Sequence, residues 1–421
     1  MIILPILIIV FVCGLTRYIT KSWLSPGTFF SLSWLFFLIV PIIFAPEYKV
    51  YQFALWFICI LIMSVSAGSI MAFPINNIQQ KKSSIYKTYS NFQFLFYVLI
   101  FFIFISCVGL YLLSRFASDL YYSNNYINNW MMIPNMIAVD RYSGILDYPF
   151  LVKYSLYFIY PGILLGGLLF GCKDDQITIK VKIFSIIPLF QAIILGIIEG
   201  ARTSILLGLV LFFSSWLSTF MYKQKMNNER YFLKFFFSTG SLILIFTIFF
   251  VFIQWLRQGM DAIIVDLLIE RIRAYFFGYL SAFSQWLIGN IEINSYNGLI
   301  TFAGPFNLIG IIDRPLGFYD PINISNNIST NIFTAFRGIV TDFTIPGSII
   351  IGFFVGFINQ LIFQKRQKDT LLSSLPISMF YAFTLYSPLI SIFHYNSILF
   401  SWIILLIILI LSRYETVDSY S

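Results

Sequence analysis

The chain has 421 residues, of which 59 % belong to the set AVILMFWYC and 10 % are charged, against roughly 45–50 % apolar and about 25 % charged in ordinary soluble domains. No water-soluble fold hides that much apolar surface, so a soluble enzyme, a disordered chain and a nucleic-acid binder are excluded. The net charge of +8 answers instead to a membrane rule. Cys13, Cys59, Cys107 and Cys172 show no CxxC or Cys/His spacing, which points away from a disulfide framework or a zinc site.

A bilayer core of about 30 Å needs about 20 apolar residues per helix. Eleven runs qualify, near 2–16, 27–46, 51–74, 91–114, 149–171, 183–198, 204–222, 233–255, 343–363, 373–392 and 394–412. The first carries Pro5 and lacks the Lys/Arg that precedes the apolar core of a signal peptide, so it reads as a retained helix. The expected fold is therefore an all-α polytopic membrane protein of about eleven spans. Its parts are helices 1–8 over 1–255, with an outside loop at 115–148; a large outside loop at 256–342; and helices 9–11 with the C-terminus over 343–421.

Orientation follows from the loop cations. Of the 26 Lys and Arg, 16 fall in one alternate set of short loops and 10 in the other. The first set is read as cytoplasmic, which puts the N-terminus outside and the C-terminus inside. The inside set is 12 Lys to 4 Arg, the outside set 2 Lys to 8 Arg. A bare topology signal has no preference for arginine. An arginine excess on the translocated side fits bidentate binding of phosphate or carboxylate, which a lysine point charge does less well.

Polar residues beside membrane helices are costly, and each raises a functional question. Glu199-Gly-Ala-Arg202 sits in a short outside turn; it is either a hairpin ion pair or an anion grip by Arg202. Segment 256–342 is too apolar for a free loop and is expected to lie on the membrane surface as short helices closing over a cavity. Within it, Arg271 and Arg273 stand 200° apart on a helix, so they cannot both snorkel to one water face. Arg337 and Asp342 stand among apolar residues before Pro346-Gly347, as either a structural pair or an anion clamp with a nearby carboxylate. Arg257 follows the eighth span as an end anchor or a ligand contact. His394, the sole histidine, falls in the turn before the last span. Asp140-Arg141 is either a surface pair or part of an acceptor site. There is no P-loop, no HExxH and no outside acidic metal motif.

Gly200-Ala-Arg202-Thr203, Arg271-x-Arg273-x-Tyr275-x-x-Gly278-Tyr279 and Thr330-Asn-x-x-Thr-Ala-x-Arg337…Asp342-Phe…Pro346-Gly, set in this architecture, resemble the Wzy-type O-antigen polymerases, the oligosaccharide repeat-unit polymerases of bacteria. The likeness in architecture covers nearly the whole chain, and the local motifs cover 183–363. The resemblance implies a glycosyltransferase C-like, all-helical enzyme of the bacterial inner membrane with its site facing the periplasm. It implies transfer of the growing glycan from undecaprenyl diphosphate to the non-reducing end of a new undecaprenyl-diphosphate-linked repeat. The implied partners are that lipid-linked oligosaccharide, the bilayer and a chain-length regulator; no cofactor, metal or nucleic acid is implied.

Carried onto this chain, the expected catalytic residues are Arg202, Arg271, Arg273, Arg337 and Asp342. Glu199, Arg257, Tyr275, Tyr279 and Asn331 are the expected substrate contacts. The related O-antigen ligases carry a histidine in their large outside loop; this loop has none, which leaves the base open among Glu199, Asp342 and His394. The rival readings are a lipid-linked oligosaccharide flippase, which also needs a basic cavity, and a membrane-bound acyltransferase, which usually shows a histidine deep in the membrane.

Overall fold

The computed structural model describes residues 3–79, 86–121, 132–172, 176–220, 248–249, 251–255, 265–290, 295–313, 319–325, 328–365 and 371–417. Among them, eight helices are long and apolar enough to cross a membrane. They are α1 (Ile3–Thr20), α2 (Pro26–Phe44), α3 (Gln52–Gln79), α4 (Phe92–Tyr121), the pair α6 (Phe150–Tyr157) and α7 (Ile159–Gly171) taken as one span, α8 (Ile179–Glu199), α9 (Arg202–Phe220) and α12 (Ala335–Lys365). Two shorter apolar helices, α13 (Leu371–Tyr386) and α14 (Asn396–Leu411), fall on the last two expected runs. The run expected at 233–255 lies mostly outside the described residues. The chain is an all-α multi-pass membrane protein.

The remaining helices are α5 (Ile133–Tyr142), α10 (Val265–Gly289) and α11 (Ala303–Leu308). Segment 256–342 departs from the expected row of short helices. It holds the 25-residue α10, the six-residue α11, and an antiparallel hairpin of Ile322–Ser325 with Ile328–Thr330. α10 is not counted as a membrane span; four charges, Asp266, Glu270, Arg271 and Arg273, stand in its first nine residues.

The helices cluster into two compact units. Unit 1 comprises residues 1–89, 270–399 and 415–421. Its main contact is between α3 and α12, and small residues make it possible. A Cβ added at Gly356 would lie 2.0 Å from the Val65 carbonyl oxygen, and one at Gly68 would lie 2.1 Å from the Phe353 oxygen. Ser69 Oγ donates to the Gly356 carbonyl at 3.2 Å. In lipid, where no hydrophobic force pulls helices together, such close backbone approach supplies the association energy. Gly356→Leu is therefore expected to break this packing, because backbone rather than a flexible side chain stands in the way. The cost should exceed the 1–3 kcal/mol, roughly, of ordinary overpacking, and it would be read as loss of membrane-inserted protein and of thermal stability in detergent.

Unit 2 comprises residues 90–269 and 400–414. α7 lies against α8 and α9 by the same device: Cβ atoms at Gly166 and Gly167 would meet the Ser185 and Phe212 carbonyl oxygens at 2.3 and 2.5 Å. Gln191 of α8 ties to α4, donating to the Ile103 carbonyl at 3.0 Å and accepting from Ser106 at 2.8 Å. A buried amide that satisfies both its ends fixes the register of one helix on the other.

Candidate functional site

α12 begins with Ala335, whose N–H is bonded to the Ser387 carbonyl at 2.7 Å, and it bends ten residues in. Thr344 has φ +62° and ψ 175°, a region that a β-branched residue rarely enters. Pro346 explains the bend. It has no N–H to give the Asp342 carbonyl four residues back, and its ring crowds that carbonyl. The freed acceptors are taken by the turn at 295–301. Tyr296 N–H donates to the Thr341 carbonyl at 3.3 Å and Asn297 N–H to the Asp342 carbonyl at 3.2 Å; Ser295 Oγ also donates to the latter.

The Asp342 side chain completes the same joint. It is fully buried. Its Oδ1 accepts from Ile300 N–H at 3.0 Å and its Oδ2 accepts from Thr301 N–H. Both oxygens of the expected catalytic carboxylate thus accept from backbone donors. The Arg337–Asp342 structural pair is also absent among the described residues.

Arg337 lies one turn before Asp342, on the first turn of α12. Its guanidinium carbon sits 4.0 Å from the centre of the Tyr319 ring, 4.1 Å from Phe333 and 5.1 Å from Trp286. Among the described residues it has no ion-pair partner and no side-chain hydrogen bond, and it is half-buried. The rings hold the cation by its faces, through the attraction between positive charge and the negative face of an aromatic system. Among the described residues its N–H donors make no side-chain hydrogen bond, and the nearby Asp320 carboxylate favours its charged form. Phe333 and Tyr319 pack edge to face at 5.4 Å, and on its other side Tyr319 meets His394 at 6.3 Å. Burial pushes the Tyr319 phenol well above its ordinary pKa, against the smaller opposing effect of Arg337, so it stays protonated.

The other expected residues are spread more widely. Arg273 Nη2 donates to the Phe44 carbonyl at 3.0 Å and pairs with Glu47 at 2.7 Å, so it caps the C-terminus of α2. Arg273→Ala is expected to lower stability by less than about 1 kcal/mol, because both partners are substantially exposed; a thermal melt in detergent checks it. Arg271 and Asn331 are exposed and Tyr275 is half-buried.

Tyr279, an expected substrate contact, packs inside the protein. It is buried, and its hydroxyl donates to the Phe37 carbonyl at 2.6 Å. Gly278 makes room for the hairpin, since a Cβ there would lie 2.8 Å from Ile324 Cδ1. Arg273 and Arg337 flank one apolar cluster that includes Ala45, Tyr48, Ala274, Tyr319 and Phe333. Arg257 lies outside the described residues.

In unit 2, Glu199 closes α8 and is buried. Its partner is not Arg202, three residues on, but Arg141 at 2.7 Å. Asp140 accepts from the Tyr121 hydroxyl at 2.5 Å. Glu199, an expected substrate contact, is thus half of an internal ion pair. Gly200 makes the turn possible with φ +59°, the left-handed cap that glycine adopts without a steric penalty. Arg202 opens α9 and is half-buried. Arg141→Ala would leave the Glu199 carboxylate buried without its counter-charge, which typically costs 3–5 kcal/mol, roughly. The expected result is a sharply lowered melting temperature, largely restored by adding Glu199→Gln.

The geometry thus sets the half-buried Arg337 among the Tyr319, Phe333 and Trp286 rings, with His394 against Tyr319, and spends the nearby carboxylate on the backbone. Sequence reasoning found Arg337 from its isolation among apolar residues. It missed Tyr319, Phe333 and Trp286, whose aromatic character was indistinguishable from the 20 % aromatic background. No protein-family model, no curated protein and no solved structure matches this chain.

Proposed function

We propose that this protein is a repeat-unit polymerase of the inner membrane. It moves a growing glycan from undecaprenyl diphosphate to the non-reducing end of a new lipid-linked repeat on the periplasmic face. The observation that carries the reading is Arg337: a guanidinium held by three aromatic rings, half-buried, with its donors not used by the protein among the described residues. Proteins rarely bury a charge without pairing it. An unpaired, preorganised fork is what a leaving diphosphate needs as negative charge develops on it. A diphosphate is already a good leaving group, so the reaction needs charge neutralisation and orientation of the acceptor hydroxyl more than a covalent nucleophile. Trp286 and Tyr319 add apolar ring surface of the kind that sugar rings pack against. Of the expected candidates for the base, His394 lies beside this cluster, its ring 6.3 Å from that of Tyr319.

The orientation belongs to the same proposal: N-terminus outside, C-terminus in the cytoplasm, as the loop cations read. The glycan profile of a deletion strain tests the function. Lipid A core capped with a single repeat unit is the expected result. Loss of all repeat units would instead mark a flippase or a ligase, and an unchanged polymer would remove the protein from this chemistry.

A further inference from the structure

The turn after α11 is built to enter a membrane. Leu308, Ile309 and Ile311 are 69 %, 68 % and 55 % exposed, and a Cβ added at the intervening Gly310 would meet nothing within 4 Å. Three adjacent bare aliphatic side chains on a short projection are unusual where water is the only neighbour. The backbone beneath them is closed on itself. Ile309 N–H donates to the Pro305 carbonyl at 3.3 Å, Gly310 N–H to Asn307 at 3.1 Å and Ile311 N–H to Phe306 at 2.9 Å. The Asn307 side-chain amide donates to the Ile312 carbonyl at 3.1 Å. Irregular backbone is tolerated in an apolar layer only when its polar groups are satisfied internally.

The turn is also anchored at the ends of apolar helices. Gly304 of α11 seats against the backbone between α13 and α14, where a Cβ would lie 2.6 Å from the Phe393 carbonyl oxygen and 3.1 Å from that of His394. Phe302 and Phe393 meet at 5.3 Å. Ser391 Oγ donates to the Thr301 carbonyl at 3.0 Å. Two apolar helices that cross a bilayer back to back place the connection between them at the lipid–water boundary. A projection fixed to it faces the head-group layer.

We propose that Leu308–Ile311 is a membrane-inserted knuckle whose partner is the lipid bilayer, at the head-group and acyl boundary. It shares a continuous anchored loop with the 297–301 turn, which Asp342 pins to α12 one turn from Arg337. The knuckle therefore sets the depth of the Arg337 site against the lipid phosphates. This inference does not rest on the glycan chemistry, and its readout is the same whether or not the protein makes polymer.

The test uses the full chain in phosphatidylethanolamine–phosphatidylglycerol vesicles, with Ile309→Cys carrying an environment-sensitive NBD dye. Cys107→Ser removes the exposed native thiol, and the other three cysteines are buried. Expected are blue-shifted emission and stronger quenching by a nitroxide at lipid carbon 5 than by aqueous iodide, matching a depth of about 5–10 Å. Adding Leu308→Glu and Ile311→Glu should abolish the blue shift and admit iodide. These side chains are mostly exposed, so the protein should still elute as one species from detergent. Stronger quenching by iodide than by the nitroxide would overturn the proposal. So would protection from both quenchers, which would mean a second copy or another protein covers the turn, and so would indifference to the glutamates.

Discussion

Arg337→Ala is expected to abolish long-chain product while the protein remains inserted at its normal level. The two halves of this result have separate physical causes. The guanidinium has no ion-pair partner among the described residues, so its removal orphans no buried carboxylate. What the fold loses is contact with three rings, worth about 0.5–2 kcal/mol as cation–π attraction. What the proposed reaction would lose is a preorganised positive charge where the leaving group becomes more negative, and loss of one such group typically lowers the rate by about 10²–10³. Arg337→Lys should restore little. An ammonium keeps the charge but has neither the flat, weakly hydrated face that suits aromatic rings nor two parallel donors. Polymer length on gels and membrane abundance by immunoblot, measured on the same cells, check both halves. Normal polymer from Arg337→Ala at normal abundance would take this arginine out of the site.

Asp342→Ala should show the reverse pattern, with a large loss of folded protein. The carboxylate is fully buried and accepts two consecutive backbone N–H groups. Truncation leaves both donors in a place water does not reach, at about 1–3 kcal/mol each. Asp342→Asn keeps one acceptor but turns an NH2 toward an N–H, so it should be intermediate. Exchanging Arg337 and Asp342 should rescue neither variant, because the two side chains do not pair. Membrane abundance and melting temperature in detergent read the effect. A stable, abundant Asp342→Ala protein that makes no polymer would restore the carboxylate to the chemistry.

These two residues show where sequence reasoning reaches its limit. Both stand among apolar neighbours in one short motif, and both raised the same question of charge in the wrong place. Nothing in linear spacing distinguishes a carboxylate that accepts N–H groups from residues 300 and 301 from one that faces a substrate. The partners are about forty positions away, and Pro346 alone hints that carbonyls nearby are freed to accept them. Glu199 is a second instance. The near neighbour Arg202 invited a local pair, yet the buried partner is Arg141, 58 positions earlier. Tyr279 is a third: its polar tip reads as a ligand contact until the Phe37 carbonyl is placed 2.6 Å from it.

The sequence by itself determined that this chain lies in a membrane as a set of apolar helices, and ten of its eleven expected runs carry a described apolar helix. That is so because the bilayer is a uniform solvent: each span must be apolar over its own length and satisfy its own backbone, and both conditions are local. The helix around Arg271 and Arg273 was legible from spacing, and the structure extends it over Val265–Gly289. Tertiary structure decided which charges are free and which are spent. A carboxylate or guanidinium is defined by what stands within about 4 Å of it, and here those neighbours come from remote turns and helices brought together by glycine-to-backbone contacts. Arg337 in its aromatic rings and the pinned Asp342 one turn away are products of that packing.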